Sequence, residues 1–234
     1  GLFCIRERIN IDRAILLFFN GSNSLFLDGM MQAWTSGFTW IPLYVALFYL
    51  IVKNNETMAQ IGLIVLGAAL CLILDGGVIE LLVKPFVERL RPINDPSLKQ
   101  LLDIVPGTYE NSFSFFSAHA ANTFSIAIFF SLLIKNRLFT AFMLLWSFVN
   151  CYTRLYLGVH FPSDVLIGLL YGGCIGATVY ILYNKVCKKL LFKKSFFSTQ
   201  YTATGYAISD IEMVLIVMCL IILYTIFRGI LCFV

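Results

Sequence analysis

Met213–Phe227 reads MVLIVMCLIILYTIF, an uncharged run closed by Arg228. With its flanks, about 212–233, it has the roughly 20 residues a helix needs to cross a bilayer. Working outward, five further segments qualify: about 36–52, 58–83, 117–134, 137–153 and 164–184. Lipid offers no partner to backbone N–H and C=O groups, so each must be a helix. The reading is an all-α, six-span transmembrane helical bundle, one membrane-embedded unit over residues 1–234. Composition agrees, because only 13% of residues are charged and 59% are hydrophobic, whereas soluble domains carry about 25% charged residues.

Between the spans, Lys53-Asn54-Asn55-Glu56 and Lys135-Asn136-Arg137 are short enough to force antiparallel hairpins. Residues 1–35 differ from the rest. The apolar runs Ile15–Phe19 and Leu25–Leu27 are broken by Asn20, Gly21, Ser22, Asn23 and Asp28. That pattern predicts one or two amphipathic helices lying at the interface. Residues 36–184 then hold the core spans, 185–211 a basic loop and 212–234 the last span. No cleavable signal peptide is expected, since Arg6-Glu7-Arg8 follows Gly1–Cys4 at once. The seven cysteines are scattered without metal or redox spacing, so neither zinc nor a disulfide is expected. A net charge of +4 gives no reason to expect a nucleic-acid partner.

Sidedness follows from Lys and Arg. The 53–56 and 135–137 loops and residues 185–212 share one face, with eight of the 17 basic residues against three acids, Glu56, Asp210 and Glu212. Positive loops stay in the cytoplasm, which predicts that the opposite face looks to the periplasm.

Three clusters lie on that opposite face: Lys84-x6-Arg91-Pro92, then Phe116-Ser117-Ala118-His119, then Thr153-Arg154-x5-His160-x3-Asp164. They include the only two histidines of the chain. The hairpin topology brings all three to one end of the bundle, and each residue type suits phosphoryl transfer. Arg91 and Arg154 offer planar forks to phosphate, and Lys84 adds a point charge. Ser117 and Ala118 open a helix whose free N–H groups attract anions. His119 lies in reach of a leaving oxygen. Asp164, four residues after His160, can hold one imidazole nitrogen and leave the other free to attack. Pro162 suits the first turn of that helix.

Taken together and in order, the clusters resemble the signature of the type-2 phosphatidic acid phosphatase superfamily, Lys-x6-Arg-Pro, Pro-Ser-Gly-His and Ser-Arg-x5-His-x3-Asp. Phe116, Ala118 and Thr153 depart from it, and none of the three removes a chemical group. The resemblance implies a cofactor-free, metal-independent lipid phosphatase of the bacterial inner membrane, with His160 as nucleophile, His119 as acid and a phosphohistidine intermediate. The implied partners are the bilayer and a membrane lipid phosphate. Candidates are undecaprenyl pyrophosphate, phosphatidylglycerophosphate, phosphatidic acid or a lipid A phosphate. No obligate protein partner is evident, and the rival function is a transporter or channel with an anion site.

Other residues read more plainly. Asp75-Gly76-Gly77 is a packed, hydrogen-bonded kink in the second span, with an intramembrane proton path as the other reading of Asp75 and Glu80. Gly168, Gly172, Gly173 and Gly176 allow close helix packing. Glu88 and Arg89 are surface or head-group contacts. The aromatic-rich 109–116 stretch anchors at the interface, and the 93–115 loop shapes a head-group pocket.

Overall fold

The computed structural model describes the backbone of residues 2–190 and 199–233, and side chains within 11–187 and 199–232. Nine α-helices occur among the described residues: α1 (Leu2–Phe19), α2 (Leu25–Thr35), α3 (Ile41–Asn54), α4 (Met58–Leu72), α5 (Lys84–Val87), α6 (Ala118–Ile134), α7 (Arg137–Tyr156), α8 (Pro162–Leu190) and α9 (Ile208–Phe233). Five stretches are long and apolar enough to cross a membrane, Gly37–Asn54, Met58–Asn94, Arg137–Tyr156, Pro162–Cys187 and Ile208–Cys232. The sixth, α6, is shorter at 17 residues. Outward-facing Phe48, Leu66, Leu81, Leu170 and Leu223 are exposed, as lipid-facing positions require.

Helix α6 is short because it runs through the middle of the bundle. Most of it is buried, including Ser125 and Ser131, so it can be polar without meeting lipid. It packs more extensively on α8 than any other pair of helices does, and the glycines explain how. A Cβ on Gly168 would lie 2.6 Å from the Ser117 carbonyl oxygen, and one on Gly172 would lie 2.8 Å from the Ala121 Cα. The expected close packing is therefore specific: Gly168, Gly172 and Gly176 let the α8 backbone touch α6 and carry Asp164 up against Ser117.

The second span does not end at 83. After α4 the helix widens into π turns over Ile73–Gly77 and Ile79–Val83 before α5. Pro85 accounts for part of this, since it has no N–H for a carbonyl one turn earlier. Asp75 is fully buried and accepts a hydrogen bond from Ser125 Oγ, and Tyr171 Oη donates to the Leu74 carbonyl at 3.2 Å. These bonds fit the packed-kink reading. Glu80 pairs with Lys84 at 2.5 Å.

The hairpin ends meet as expected. Lys53 Nζ contacts Asp210 at 2.7 Å, Asn54 Oδ1 accepts from Ala207 N at 2.8 Å, and Thr204 Oγ1 donates to the Ile134 carbonyl at 2.9 Å. Within the expected 185–211 loop, α8 continues to Leu190 and α9 begins at Ile208, while residues 191–198, with Lys193 and Lys194, lie outside the described residues. The described part of the expected interfacial segment, residues 2–35, holds two helices, neither of them among the candidate spans. Helix α2 packs along the end of α9, and α1 packs on α7 and α8.

Candidate active site

At the other end of the bundle the three clusters converge. His160 follows a tight turn in which Gly158 has φ +66°, a conformation natural to glycine. The His160 ring is 1% exposed. Arg91 Nη1 lies 3.0 Å from its Nε2. A guanidinium has only donors, so Nε2 must be the acceptor, and the ring proton therefore resides on Nδ1. That tautomer turns the Nε2 lone pair outward, where Arg91 holds it. Burial, reinforced by Arg154 and Arg91, holds the His160 imidazolium pKa well below its ordinary 6.5. The neutral ring is thereby favoured.

The expected direct bond from His160 to Asp164 is long, with Nδ1 and Oδ2 3.7 Å apart. Ser114 fills the gap: its Oγ lies 3.5 Å from Nδ1 and donates to Asp164 Oδ2. Asp164 is held on every side. Its Oδ2 also accepts from Phe161 N at 3.0 Å, and Oδ1 accepts from Arg89 Nη1 at 2.6 Å. Arg89, 27% exposed, is thus more than a surface contact. Its guanidinium lies 3.9 Å from the centroid of the Phe161 ring and reaches Ser163 Oγ at 2.8 Å and Asp12 at 2.7 Å. Asp12, on α1, accepts from Ser163 N at 2.8 Å, which places a carboxylate on the electropositive start of α8. The amino-terminal helix therefore braces Asp164 through Arg89, a role its amphipathic pattern does not announce.

The anion cradle faces Nε2. Arg91, Arg154 and Lys84 are all buried, at 2%, 3% and 3% exposure. Arg91 also donates to the carbonyls of Val159 and Ser112 and to Ser112 Oγ. Arg154 donates through Nη1 to Thr35 Oγ1 at 2.9 Å, while its buried Nε has no partner among the described residues. Ser117 caps α6: its side chain accepts from Ala120 N, and its N–H donates to the Asp164 carbonyl at 3.1 Å. The N–H groups of Ala118 and His119 have no acceptor among the described residues, so the unused donors at this helix start belong to them. The His119 ring is exposed, makes no side-chain hydrogen bond among the described residues, and feels the charges of Arg154, Glu110, Arg91 and Lys84.

The 109–116 stretch does more than anchor. Glu110 bridges Arg91, at 2.5 Å, and Arg154, Ser112 takes Arg91, and Ser114 takes Asp164. Burial alone would raise the Glu110 carboxyl, but the charges of Arg154 and Arg91 hold its pKa at about 2. One signal was available in the sequence, since Glu110 is the only acid between Asp103 and Asp164. For Ser114 and Ser112 there was none, because a serine in a loop has no spacing to read.

Comparison with known proteins identifies the family. Residues 63–188 match the PAP2 superfamily. The chain is 38% identical over 182 residues to a lipid A 4'-phosphatase of Bacteroides thetaiotaomicron, covering 77% of this chain and 80% of that one. A lipid A 4'-phosphatase of Porphyromonas gingivalis is 31% identical, with 75% and 74% covered. The fold resembles Aquifex aeolicus LpxE, with a TM-score of 0.54, 25% identity and 71% and 92% of the two chains covered. It also resembles the PAP2-type phosphatidylglycerolphosphate phosphatase of Bacillus subtilis, with a TM-score of 0.57, 22% identity and 80% and 90% covered. With the motifs assembled at one end of a membrane bundle and relatives matched over three quarters of its length, the chain belongs to the PAP2 superfamily and is a membrane lipid phosphatase.

Proposed function

We propose that the protein removes a phosphomonoester from lipid A, at the 4' position, through a phosphohistidine on His160. The observation that carries the chemistry is the His160 ring, with Nε2 turned to Arg91 and Nδ1 turned to Ser114 and Asp164. Extensive similarity to two lipid A 4'-phosphatases supports the substrate.

In the first step Arg91 passes its hydrogen bond from Nε2 to a phosphoryl oxygen, the freed Nε2 lone pair attacks phosphorus, a P–N bond forms and the P–O bond to the sugar breaks. His119 delivers a proton to the departing alkoxide. Arg91, Arg154, Lys84 and the N–H groups of Ala118 and His119 hold the phosphoryl oxygens, where charge spreads in the transition state. Asp164 and Ser114 keep the Nδ1 proton in place and stabilise the ring as it becomes cationic. In the second step water attacks phosphorus, His119 accepts its proton, the P–N bond breaks and orthophosphate leaves.

The single unit lies in the bacterial inner membrane, with its active end toward the periplasm. The basic loops favour that orientation. The rival transporter reading explains buried cations but not a histidine held by an acid, and the relatives are hydrolases.

The test is mass spectrometry of lipid A after incubation with purified protein in detergent, beside phosphatidic acid, phosphatidylglycerophosphate and undecaprenyl pyrophosphate. Loss of one phosphate from the 4' end of lipid A, faster than from the other three, is the expected result. Faster release from a glycerolipid or from the pyrophosphate overturns the substrate assignment.

A further inference from the structure

Glu110 sits where a phosphate would. Its two carboxylate oxygens engage the facing ends of Arg91 and Arg154, one each. Those arginine side chains are 1% and 3% exposed, whereas the Glu110 side chain is 31% exposed and closes the cradle from outside. The carboxylate is delivered by a loop, and the loop is tied down on both sides of it. Asn94 Nδ2 donates to the Glu110 carbonyl at 3.1 Å, Gln32 Nε2 to the Pro106 carbonyl at 2.6 Å, and Arg91 to the Ser112 carbonyl and hydroxyl at 2.8 Å each.

Two buried guanidinium groups facing one another need an anion between them, because isolated buried charges are strongly unfavourable. The neighbouring acids cannot serve. Asp164 is taken by Arg89 and Ser114, and Glu80 is taken by Lys84. Glu110 alone fills that need, and it uses the same Arg atoms a phosphate would use. The two anions therefore exclude one another.

We propose that Glu110 is a specificity-determining residue: a tethered carboxylate that competes for the phosphate cradle and must be displaced by substrate. This rests on the phosphatase reading above. A tethered competitor acts at a high effective concentration, in the millimolar range for a short connection. Orthophosphate, which has only its charge to offer, is disfavoured by that competitor. A lipid phosphate brings further contacts from its sugar and acyl chains and displaces the carboxylate. After hydrolysis those contacts no longer hold the phosphate, and Glu110 returns to expel it. The device favours membrane-anchored phosphates over soluble ones and limits product inhibition.

The experiment measures inhibition of lipid A hydrolysis by orthophosphate and by orthovanadate, for the wild type and Glu110→Gln. Glutamine keeps the shape and removes the charge. The inhibition constants should fall by about tenfold or more, as when a charge-assisted competitor is lost, and KM for a short soluble phosphomonoester should fall with them. Unchanged inhibition constants overturn the proposal. A drop in kcat of a hundredfold with unchanged inhibition assigns Glu110 to catalysis instead and overturns it too. Asn94→Ala, which frees the Glu110 backbone and leaves every charge in place, should shift the constants in the same direction by a smaller factor. It keeps the question decidable if Glu110→Gln does not fold. Failure of the phosphatase reading looks different, because the wild type would then release no phosphate from any lipid.

Discussion

Asp210 and Glu110 are both carboxylates that tie together distant pieces of chain, at opposite ends of the same bundle. Asp210 takes Lys53 at 2.7 Å and Asn54 at 3.0 Å, while Glu110 takes Arg91 and Arg154. The difference lies in the cations. The Lys53 side chain is 52% exposed, so water and salt compete with Asp210 and the pair does little beyond joining a hairpin to α9. Arg91 and Arg154 have no water to turn to, so whichever anion reaches them is held strongly. The same ionic contact is therefore a fastening at one end and part of a binding site at the other. Burial of the cation decides which.

The largest expected effect tests the buried end at its centre. His160→Ala should abolish turnover and the trapping of acid-labile phosphoprotein, a loss of ~10⁴-fold or more. Retention of more than a few per cent of activity removes His160 from the nucleophile role. Asp164→Asn comes next. It keeps the shape and disturbs the hold on Nδ1, and a lost histidine orienter lowers kcat by up to about 10⁴-fold; KM should change little.

Arg89→Met probes the outer layer of the same end. It frees one oxygen of Asp164 and leaves Asp12 without its cation, and changes one shell out typically lose about 10–100-fold. The loss should fall on kcat, and a rise in KM alone would argue against a bracing role.

A spectroscopic prediction addresses the tautomer directly. In His119→Gln, His160 is the sole remaining histidine, so ¹⁵N imidazole signals report it alone. Its folded pKa is lowered, so the neutral form must persist as pH falls through 6.5, with the proton on Nδ1. A transition near 6.5, or a proton on Nε2, contradicts the geometry drawn here. By the same sign rule the Glu110 clamp, lowered from 4.5 to about 2, supports the fold at and above pH 4.5 and weakens as pH falls toward 2. Proteolysis of the 95–116 loop should accelerate only in that acid window.

The smallest effect belongs to the exposed end. Asp210→Asn should change lipid A hydrolysis by less than about twofold, because a pair whose cation is open to water contributes little and lies at the end of the bundle away from the site. A large loss there would mean that the two ends are coupled and would break the comparison.

Much of this was legible in the sequence for a physical reason. Lipid demands long apolar helices, so the spans announce themselves, and short polar connections force hairpins. Hence the meeting of Lys84, Arg91, Arg154, His160 and Asp164 at one end followed from order along the chain. The spacing of the three clusters was specific enough to carry the chemistry. Close packing on α8 was legible too, since glycines four apart mark a helix face another helix can touch, but that α6 is the partner was not.

Tertiary structure alone decided how the site is held. Ser114 stands between His160 and Asp164 because a loop folds back over the start of α8. Arg89 turns inward because Asp12, on a helix more than 70 residues earlier, waits beside Ser163. Glu110 lies between two arginines because residues 94–112 are bonded down across the bundle mouth. Spans are set by the solvent around each stretch of chain, which composition records. Side chains from separate loops meet only through packing, and no local pattern of residues encodes that meeting.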